Sequence, residues 1–289
     1  MISIKDICEE YQKNNKIPSA LHRGNATVTP VFSEAIQALS ARPQLICIGS
    51  RPGMGRTALL LDLILKTAIT DKKTVLFFLG GTPFEDDLGL LADRLLRRLC
   101  GANVYSIVKN ANPCTIYHNT QTVPSALALL KKLPIYFDTK KHPSAEHVRA
   151  GITALGTVGL AVVGNAEYIV PENKNKGEMA DSIKELMEGL SRLTKETGTS
   201  IALSTTLTRC IELRSDKRPY VRDLKSGHLR RLSDTVVLLY RDAYYTLEKD
   251  DSAEIVIAQN ATDRYGRSKM HLCRQSLHFD YNKICFAEA

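Results

Sequence analysis

The sequence predicts an α/β protein with a mostly parallel central sheet, flanked by helices and with antiparallel strands at its C-terminal end. Short apolar runs alternate with segments of helical periodicity from residue 31 to residue 204. After residue 235, strand-like runs follow one another without a helix between them. A glycine-rich turn separates the first apolar run from the next helix. We expect one domain over residues 31–289, preceded by an N-terminal helix and linker arm over residues 1–30.

Composition excludes several classes of protein. Of 289 residues, 44% are hydrophobic and 24% charged, which leaves enough apolar sequence for a packed core. No apolar run approaches the roughly 20 residues of a membrane span and no signal peptide is evident, so we expect a cytoplasmic protein without membrane partners. Seven cysteines without CxxC spacing argue against a disulfide framework or a zinc site. The net charge of +8 favours a polyanionic partner.

The elements follow from apolar spacing along the chain. In the arm, Ile4, Ile7 and Tyr11 lie on one face of a short helix, which packs either on its own domain or on a neighbouring subunit. Later helices are predicted near residues 32–39, 57–69, 85–100, 123–130, from 144 onward and at 181–198. Strands are predicted at residues 45–48, 74–79, 133–137, 160–163, 201–204, 235–240 and 254–258, with a last apolar segment at 270–279. Ligands of parallel sheets gather at the carboxyl ends of the strands, where we expect the site.

The glycine-rich turn has the spacing of a phosphate-binding loop. Measured against G-x-x-x-x-G-K-[ST], Ser50 replaces the first glycine and Arg56 replaces the lysine. Glycines let backbone N–H groups approach a phosphate, and the N-terminus of the following helix adds partial positive charge. The predicted nucleotide-binding residues of the loop are Ser50, Arg51, Pro52, Gly53, Met54, Gly55, Arg56 and Thr57. The alternative is an ordinary glycine turn between a strand and a helix.

A basic segment, defined here as residues 209–231, carries eight Lys or Arg residues against three acids. Its formal charge of +5 is most of the charge of the whole chain. One hypothesis is contact with nucleic-acid phosphates, in which a second loop at residues 170–177 takes part from the same rim of the sheet. The predicted DNA-binding residues are Lys174, Lys176, Arg214, Lys217, Arg218, Arg222 and Lys225. The alternative is a solvated charged surface.

Several stretches together resemble the C-terminal, RecA-like motor domain of DnaB-type replicative helicases. Residues 51–57, R-P-G-M-G-R-T, resemble that family's R-P-S-M-G-K-T, and L-S followed by T-L-T-R at 203–209 resembles its L-S-Q-L-N-R. Residues 216–219, D-K-R-P, and 233–245, S-D-T-V-V-L-L-Y-R-D-A-Y-Y, resemble two later motifs in the same order. The resemblance spans roughly residues 27–281. It implies a RecA-like P-loop NTPase fold, ATP and Mg²⁺ as cofactors, single-stranded DNA as a partner, and a homo-oligomer or a helicase ring.

The resemblance also indicates where this chain departs from the family's chemistry. ATP hydrolysis needs a cation on the phosphates, a carboxylate near Mg²⁺, a group that orients water and an arginine finger. By the family pattern, the phosphate lysine, a glutamate, the metal-binding acid, the sensing glutamine and the finger motif fall in that order at Arg56, Gly81, Gly164, Thr206 and Ala261. Thr57 keeps the hydroxyl that would bind magnesium. Glu167 or Glu85 could supply a missing acid, and Arg241 and Tyr244 could border a nucleotide base.

Three hypotheses of function follow. The first is a DnaB-like protein that keeps the nucleotide-binding fold and DNA-binding loops but has weak or no ATP hydrolysis, because removing one preorganised charge-stabilising group typically costs about 100- to 1,000-fold in rate. The second is an active ATP-dependent DNA helicase with unusual residues at its site. The third is an interaction protein that binds neither nucleotide nor DNA.

Overall fold

The computed structural model of the chain describes residues 1–15, 39, 41–80, 82, 84, 87–100, 122–169, 176–246, 252–260, 266–273 and 278–286. In these parts of the chain, ten strands form one sheet. Their order across the sheet is β1-β4-β3-β5-β6-β2-β7-β8-β9-β10. None of the helices in these ranges is long and apolar enough to cross a membrane.

Six parallel strands form the centre of the sheet. They are β2 (Leu45–Ser50), β3 (Thr74–Phe78), β4 (Ile135–Asp138), β5 (Val158–Asn165), β6 (Ser200–Thr206) and β7 (Thr235–Tyr240). The antiparallel strands β8 (Ser252–Asn260), β9 (Gly266–Cys273) and β10 (His278–Phe286) extend it beyond β7. This arrangement confirms the predicted fold class.

Helices cover both faces of the sheet, as the buried apolar strands require. One core lies under α1 (Ile4–Asn14), α2 (Arg56–Ile69), α3 (Leu88–Cys100) and α4 (Thr122–Leu130). The other lies under α5 (Ala145–Leu155), α7 (Lys176–Thr197) and α8 (Gly227–Leu232). Two short helices, α6 (Ala166–Ile169) and α9 (Ala243–Thr246), follow β5 and β7.

The N-terminal helix packs on its own domain, which decides between the two predicted alternatives. Strand β1 (Ile2–Ser3) pairs antiparallel with β4, and the Ser3 side chain caps α1. Ile4, Ile7 and Tyr11 are buried in the core that α2 also lines, and the Tyr11 hydroxyl donates to Asp93 Oδ1 at 3.2 Å. Residues 16–38 lie outside the described parts of the chain, so the domain boundary at residue 30 stays a prediction.

The remaining differences from prediction concern the ends of elements. The helix expected from residue 85 begins at Leu88, because the Asp87 carboxylate accepts the Leu90 N–H at 2.9 Å and so caps the first turn. The helix expected at 181–198 begins earlier, at Lys176, and ends before Gly198, whose φ of +67° suits the position after a helix. The basic segment is not an open loop. It contains two 3₁₀ turns, Arg209–Leu213 and Val221–Asp223, and α8.

Candidate nucleotide and DNA site

The loop at residues 51–55 joins the end of β2 to the start of α2, as the sequence predicts. Gly53 and Gly55 have φ values of +79° and +94°, which side chains other than glycine rarely adopt. No side chain caps the first turn of α2, so its N–H groups point towards the loop without a local acceptor. Met54 is buried and contributes to the core. The geometry is that of a strand, a tight turn and a helix N-terminus.

A polar floor lies beneath this loop, on the sheet face that α2 covers. Ser50 ends β2 and pairs with Thr206 at the end of β6. The Oγ of Ser50 is buried and finds no hydrogen-bond partner in the described parts of the chain. Arg56 Nη1 donates to Thr206 Oγ1 at 3.2 Å, and Thr57 follows as the second, half-buried residue of α2. Arg56 and Thr206, two predicted positions of lost catalytic groups, are therefore in contact.

Gly164, the predicted position of the metal-binding acid, has no room for a side chain. A Cβ atom there would overlap the carbonyl oxygen of Gly80 and would lie 3.0 Å from Thr82 Cγ2. The β5–β6 pairing shifts register at this point, from Val163 opposite Leu203 to Asn165 opposite Ser204. Gly164 therefore lies in a bulge, which is a common use of glycine in a strand.

Asn165 takes the ladder position at the end of β5 because of this bulge. Its neighbour Ser204 lies on the same face as Ala202, in the core that α2 lines, so the register places Asn165 on that face as well. Asn165 is 5% exposed, and its Oδ1 has no hydrogen-bond partner among the residues that the structure describes. The sequence analysis missed this residue, although a glycine directly before a polar residue at a strand end is a signal for a bulge.

Glu167, a predicted replacement acid, is already engaged. Its Oε1 accepts hydrogen bonds from Thr205 Oγ1 at 2.9 Å and the Thr206 N–H at 2.8 Å, and lies 3.3 Å from Lys225 Nζ. The carboxylate therefore binds the end of β6, and Lys225 offsets its charge. Glu85 lies outside the described residues, as do Gly81 and Ala261.

The donor set does not fit the magnesium ion that the resemblance implies. Mg²⁺ is usually bound through one or two carboxylates with water and phosphate oxygens. Within the described ranges, no group of three or more His, Cys, Asp and Glu side chains could hold a metal. The strand-end position next to the loop holds a neutral amide, that of Asn165, and Thr57 offers one hydroxyl.

Arg241 and Tyr244 lie against the loop. Arg241 Nη1 donates to the Gly53 carbonyl oxygen at 3.0 Å. A Cβ atom at Gly53 would lie 3.0 Å from Tyr244 Cε2, so the tyrosine ring covers this glycine. Tyr244 is 49% exposed. Both residues border the loop, and their contact with a nucleotide base stays a prediction.

Arg51 connects the loop to the basic segment instead of facing a ligand. Its Nε lies 2.8 Å from Glu212 Oε1, and its Nη1 donates to the Leu207 carbonyl oxygen at 2.9 Å. The same Glu212 oxygen accepts the hydroxyl of Tyr245 at 3.2 Å. These contacts fix the base of the loop, while Pro52 and Gly53 are exposed at its tip.

Two arginines predicted to bind DNA make internal ion pairs. Arg214 pairs with Asp223 at 2.8 Å, and Arg218 pairs with Glu254 of β8 at 2.9 Å. Glu254 is 5% exposed, and its hydrogen bonds raise the pKa of Arg218 above the ordinary value. The Arg218 guanidinium also lies 5.1 Å from the centre of the Tyr240 ring. These cations hold the basic segment against the sheet.

The other predicted DNA-binding residues differ in their availability. Lys217 Nζ donates to the Arg214 carbonyl oxygen at 3.1 Å. Arg222 is exposed, with its guanidinium 5.0 Å from the centre of the Tyr220 ring. Lys174 lies outside the described residues, and Lys176 is the first residue of α7. Exposed arginines that the prediction did not include are Arg209, Arg230 and Arg231.

Comparison with known proteins was made at the level of families, sequences and structures. The family model of the DnaB-like helicase C-terminal domain matches residues 31–281. The replicative DNA helicase DnaB of Geobacillus stearothermophilus is 25% identical over 98% of this chain and 61% of its own length. The replicative DNA helicase DnaB of Buchnera aphidicola subsp. Acyrthosiphon pisum is 30% identical over 79% of this chain and 50% of its own. The chain thus spans about half to three-fifths of these relatives.

Two solved structures share the fold. A DnaB-like replicative helicase, described with its interactions with primase, has a TM-score of 0.75 at 21% identity, covering 89% of this chain and 62% of that one. A separately solved ATPase domain has a TM-score of 0.73 at 18% identity, covering 88% of this chain and 92% of that one. At these identities the likeness describes the fold.

Proposed function

Because the chain belongs to the family of DnaB-like helicase C-terminal domains, we propose that it is a catalytically degenerate member, a pseudoenzyme. Its role is to contact single-stranded DNA or a helicase ring in DNA replication, in the cytoplasm, with weak or no ATP hydrolysis. The RecA-like scaffold remains, and the groups that drive hydrolysis have been replaced.

The end of β5 carries this proposal. Transfer of a phosphoryl group depends on fixed charges placed around the reacting phosphate. A carboxylate cannot occupy Gly164, because even a Cβ atom would collide with the backbone of Gly80. Asn165, which takes the neighbouring ladder position, is neutral, and the Glu167 carboxylate is bound to the end of β6.

The phosphate cation supports the same conclusion. Arg56 replaces the usual lysine, and its guanidinium donates to Thr206, the position of the sensing glutamine. A guanidinium is a planar fork rather than a compact ammonium, so it does not reproduce the lysine's contact with the β- and γ-phosphates. Loss of several groups that act together leaves little turnover.

A phosphate-release assay tests the proposal. Purified protein is incubated with ATP and Mg²⁺, with and without single-stranded DNA, beside an Arg56→Ala variant. We expect both proteins to release phosphate at the same background rate. Hydrolysis that single-stranded DNA stimulates and that Arg56→Ala abolishes would instead identify an active ATP-dependent helicase.

A DNA-binding measurement tests the other part of the proposal. We expect a labelled single-stranded oligonucleotide to bind, with affinity that falls as salt rises, because exposed cations displace the counterions of phosphates. Failure to bind any oligonucleotide even at low salt would favour an interaction protein without nucleic-acid binding.

A further inference from the structure

We propose that the pocket between the loop at residues 51–55 and the ends of β5 and β6 binds the phosphates of a free nucleotide without a divalent cation. The inference rests on the proposed function only in using the same loop. It concerns how the phosphates are bound and does not depend on whether they are hydrolysed.

Positive charge lines one side of the pocket. The 14-residue helix α2 begins at the loop, and no side chain occupies its N-terminal donors. Partial positive charge at a helix N-terminus favours an anion. Arg56 adds a guanidinium in the first turn, and Thr57 adds a hydroxyl. A guanidinium binds phosphate oxygens through strong, charge-assisted hydrogen bonds.

Unpartnered polar groups line the other side. Ser50 Oγ and Asn165 Oδ1 are buried, in residues exposed by 1% and 5%, and neither finds a partner in the described parts of the chain. Buried polar atoms are nearly always hydrogen-bonded in folded proteins, so two such atoms at one strand edge indicate a ligand. Both lie on the face that α2 covers, on either side of β6.

The chemistry of these groups suits an anion rather than a magnesium complex. The Ser50 hydroxyl and the Asn165 amide can each donate to a phosphate oxygen, and neither carries negative charge. The nearby carboxylates are engaged elsewhere, Glu167 with Lys225 and Glu212 with Arg51. Phosphate charge would therefore be offset by Arg56 and the helix N-terminus, without an ion between phosphate and protein.

Calorimetric titration of the whole chain with ATP tests the inference, once in EDTA and once in excess MgCl₂. We expect the two dissociation constants to agree within about threefold. Binding more than about tenfold tighter with Mg²⁺ would overturn the inference, and so would no binding in either buffer. Neither result touches the proposal of absent hydrolysis, which fails only if phosphate is released.

The isosteric variant Asn165→Asp sharpens the test. A carboxylate at this position would repel phosphate oxygens in EDTA, so we expect binding to weaken about tenfold there and to recover partly with Mg²⁺. Asn14→Asp, at the exposed end of α1, adds the same charge outside the pocket and should bind like the wild type in both buffers. Unchanged binding of Asn165→Asp in EDTA would contradict the inference. Thermal unfolding of both variants verifies that they fold.

Discussion

The loop at residues 51–55 and the basic segment are both polar regions at the rim of the sheet, but their polar groups are used differently. Beneath the loop, Ser50 and Asn165 are buried without a partner in the described chain. In the basic segment, Arg214 and Arg218 are paired with Asp223 and Glu254. The region with little net charge thus keeps binding capacity, while much of the charge of the basic segment is neutralised within the fold.

This difference teaches that a count of charges along a sequence does not measure a binding surface. A buried carboxylate such as Glu254 is costly unless a cation lies beside it, so part of the basic segment compensates acids brought in by other strands. Unsatisfied polar atoms are the better indicator of a ligand, because folded proteins seldom leave them.

The largest expected effect is at the bulge beneath the loop. Gly164→Asp should lower the free energy of unfolding by about 3 kcal/mol or more, since the new side chain would overlap the Gly80 carbonyl and bury a charge. Asn165→Asp adds the same charge one residue later, in a side chain of nearly the same size, and should cost much less. Urea unfolding of the two variants measures the difference. Equal stability of Gly164→Asp and wild type would mean that the bulge is wrong.

A second effect separates paired from exposed arginines. Arg218→Met should cost about 2–3 kcal/mol of unfolding free energy, because it leaves the carboxylate of Glu254 buried without its cation. Arg222→Met, in the same segment, removes an exposed cation and should change stability by less than about 0.5 kcal/mol. Urea unfolding again reports the effect. If both variants lose the same stability, the ion pair to β8 has no structural role.

A third effect concerns binding of DNA. Replacing Arg222 and Arg231 by alanine should weaken single-stranded DNA of every sequence alike and reduce the salt slope by about 2, one for each lost phosphate contact. Fluorescence anisotropy at several salt concentrations measures both quantities. Alanines at the exposed Lys5 and Lys13 of α1 change the net charge equally and serve as the control. An equal loss with that control would mean that only total charge matters.

The smallest effect is chemical labelling, which should not alter function. Burial raises the pKa of Cys47, in β2 beneath the loop, to about 12, whereas Cys210 in the basic segment is exposed. The thiolate is the reactive form, so at pH 8 a maleimide should modify Cys210 within minutes and leave Cys47 unmodified until the chain unfolds. Peptide mass spectrometry distinguishes the two sites. Labelling of Cys47 in the native protein would show that β2 opens.

Much of the fold could be predicted because the signals are local. Apolar runs alternating with helical periods identified the strands from β2 to β7, and consecutive strand-like runs identified the antiparallel end of the sheet. The loop at 51–55 was also predictable, since its glycines are needed for φ values that few other residues adopt. Ends of helices were less predictable, as the capping of α3 by Asp87 illustrates.

The sequence by itself determined the layers, the order of the parallel units and the place of the phosphate loop, since each depends on neighbouring residues and their hydrophobic period. Only the tertiary structure decided that Asn165 rather than Gly164 ends the ladder of β5, and that Glu254 lies beside Arg218. Both depend on contacts between residues distant in the chain. Pairing register and charge compensation arise when strands are brought together, and spacing along one strand carries no record of them.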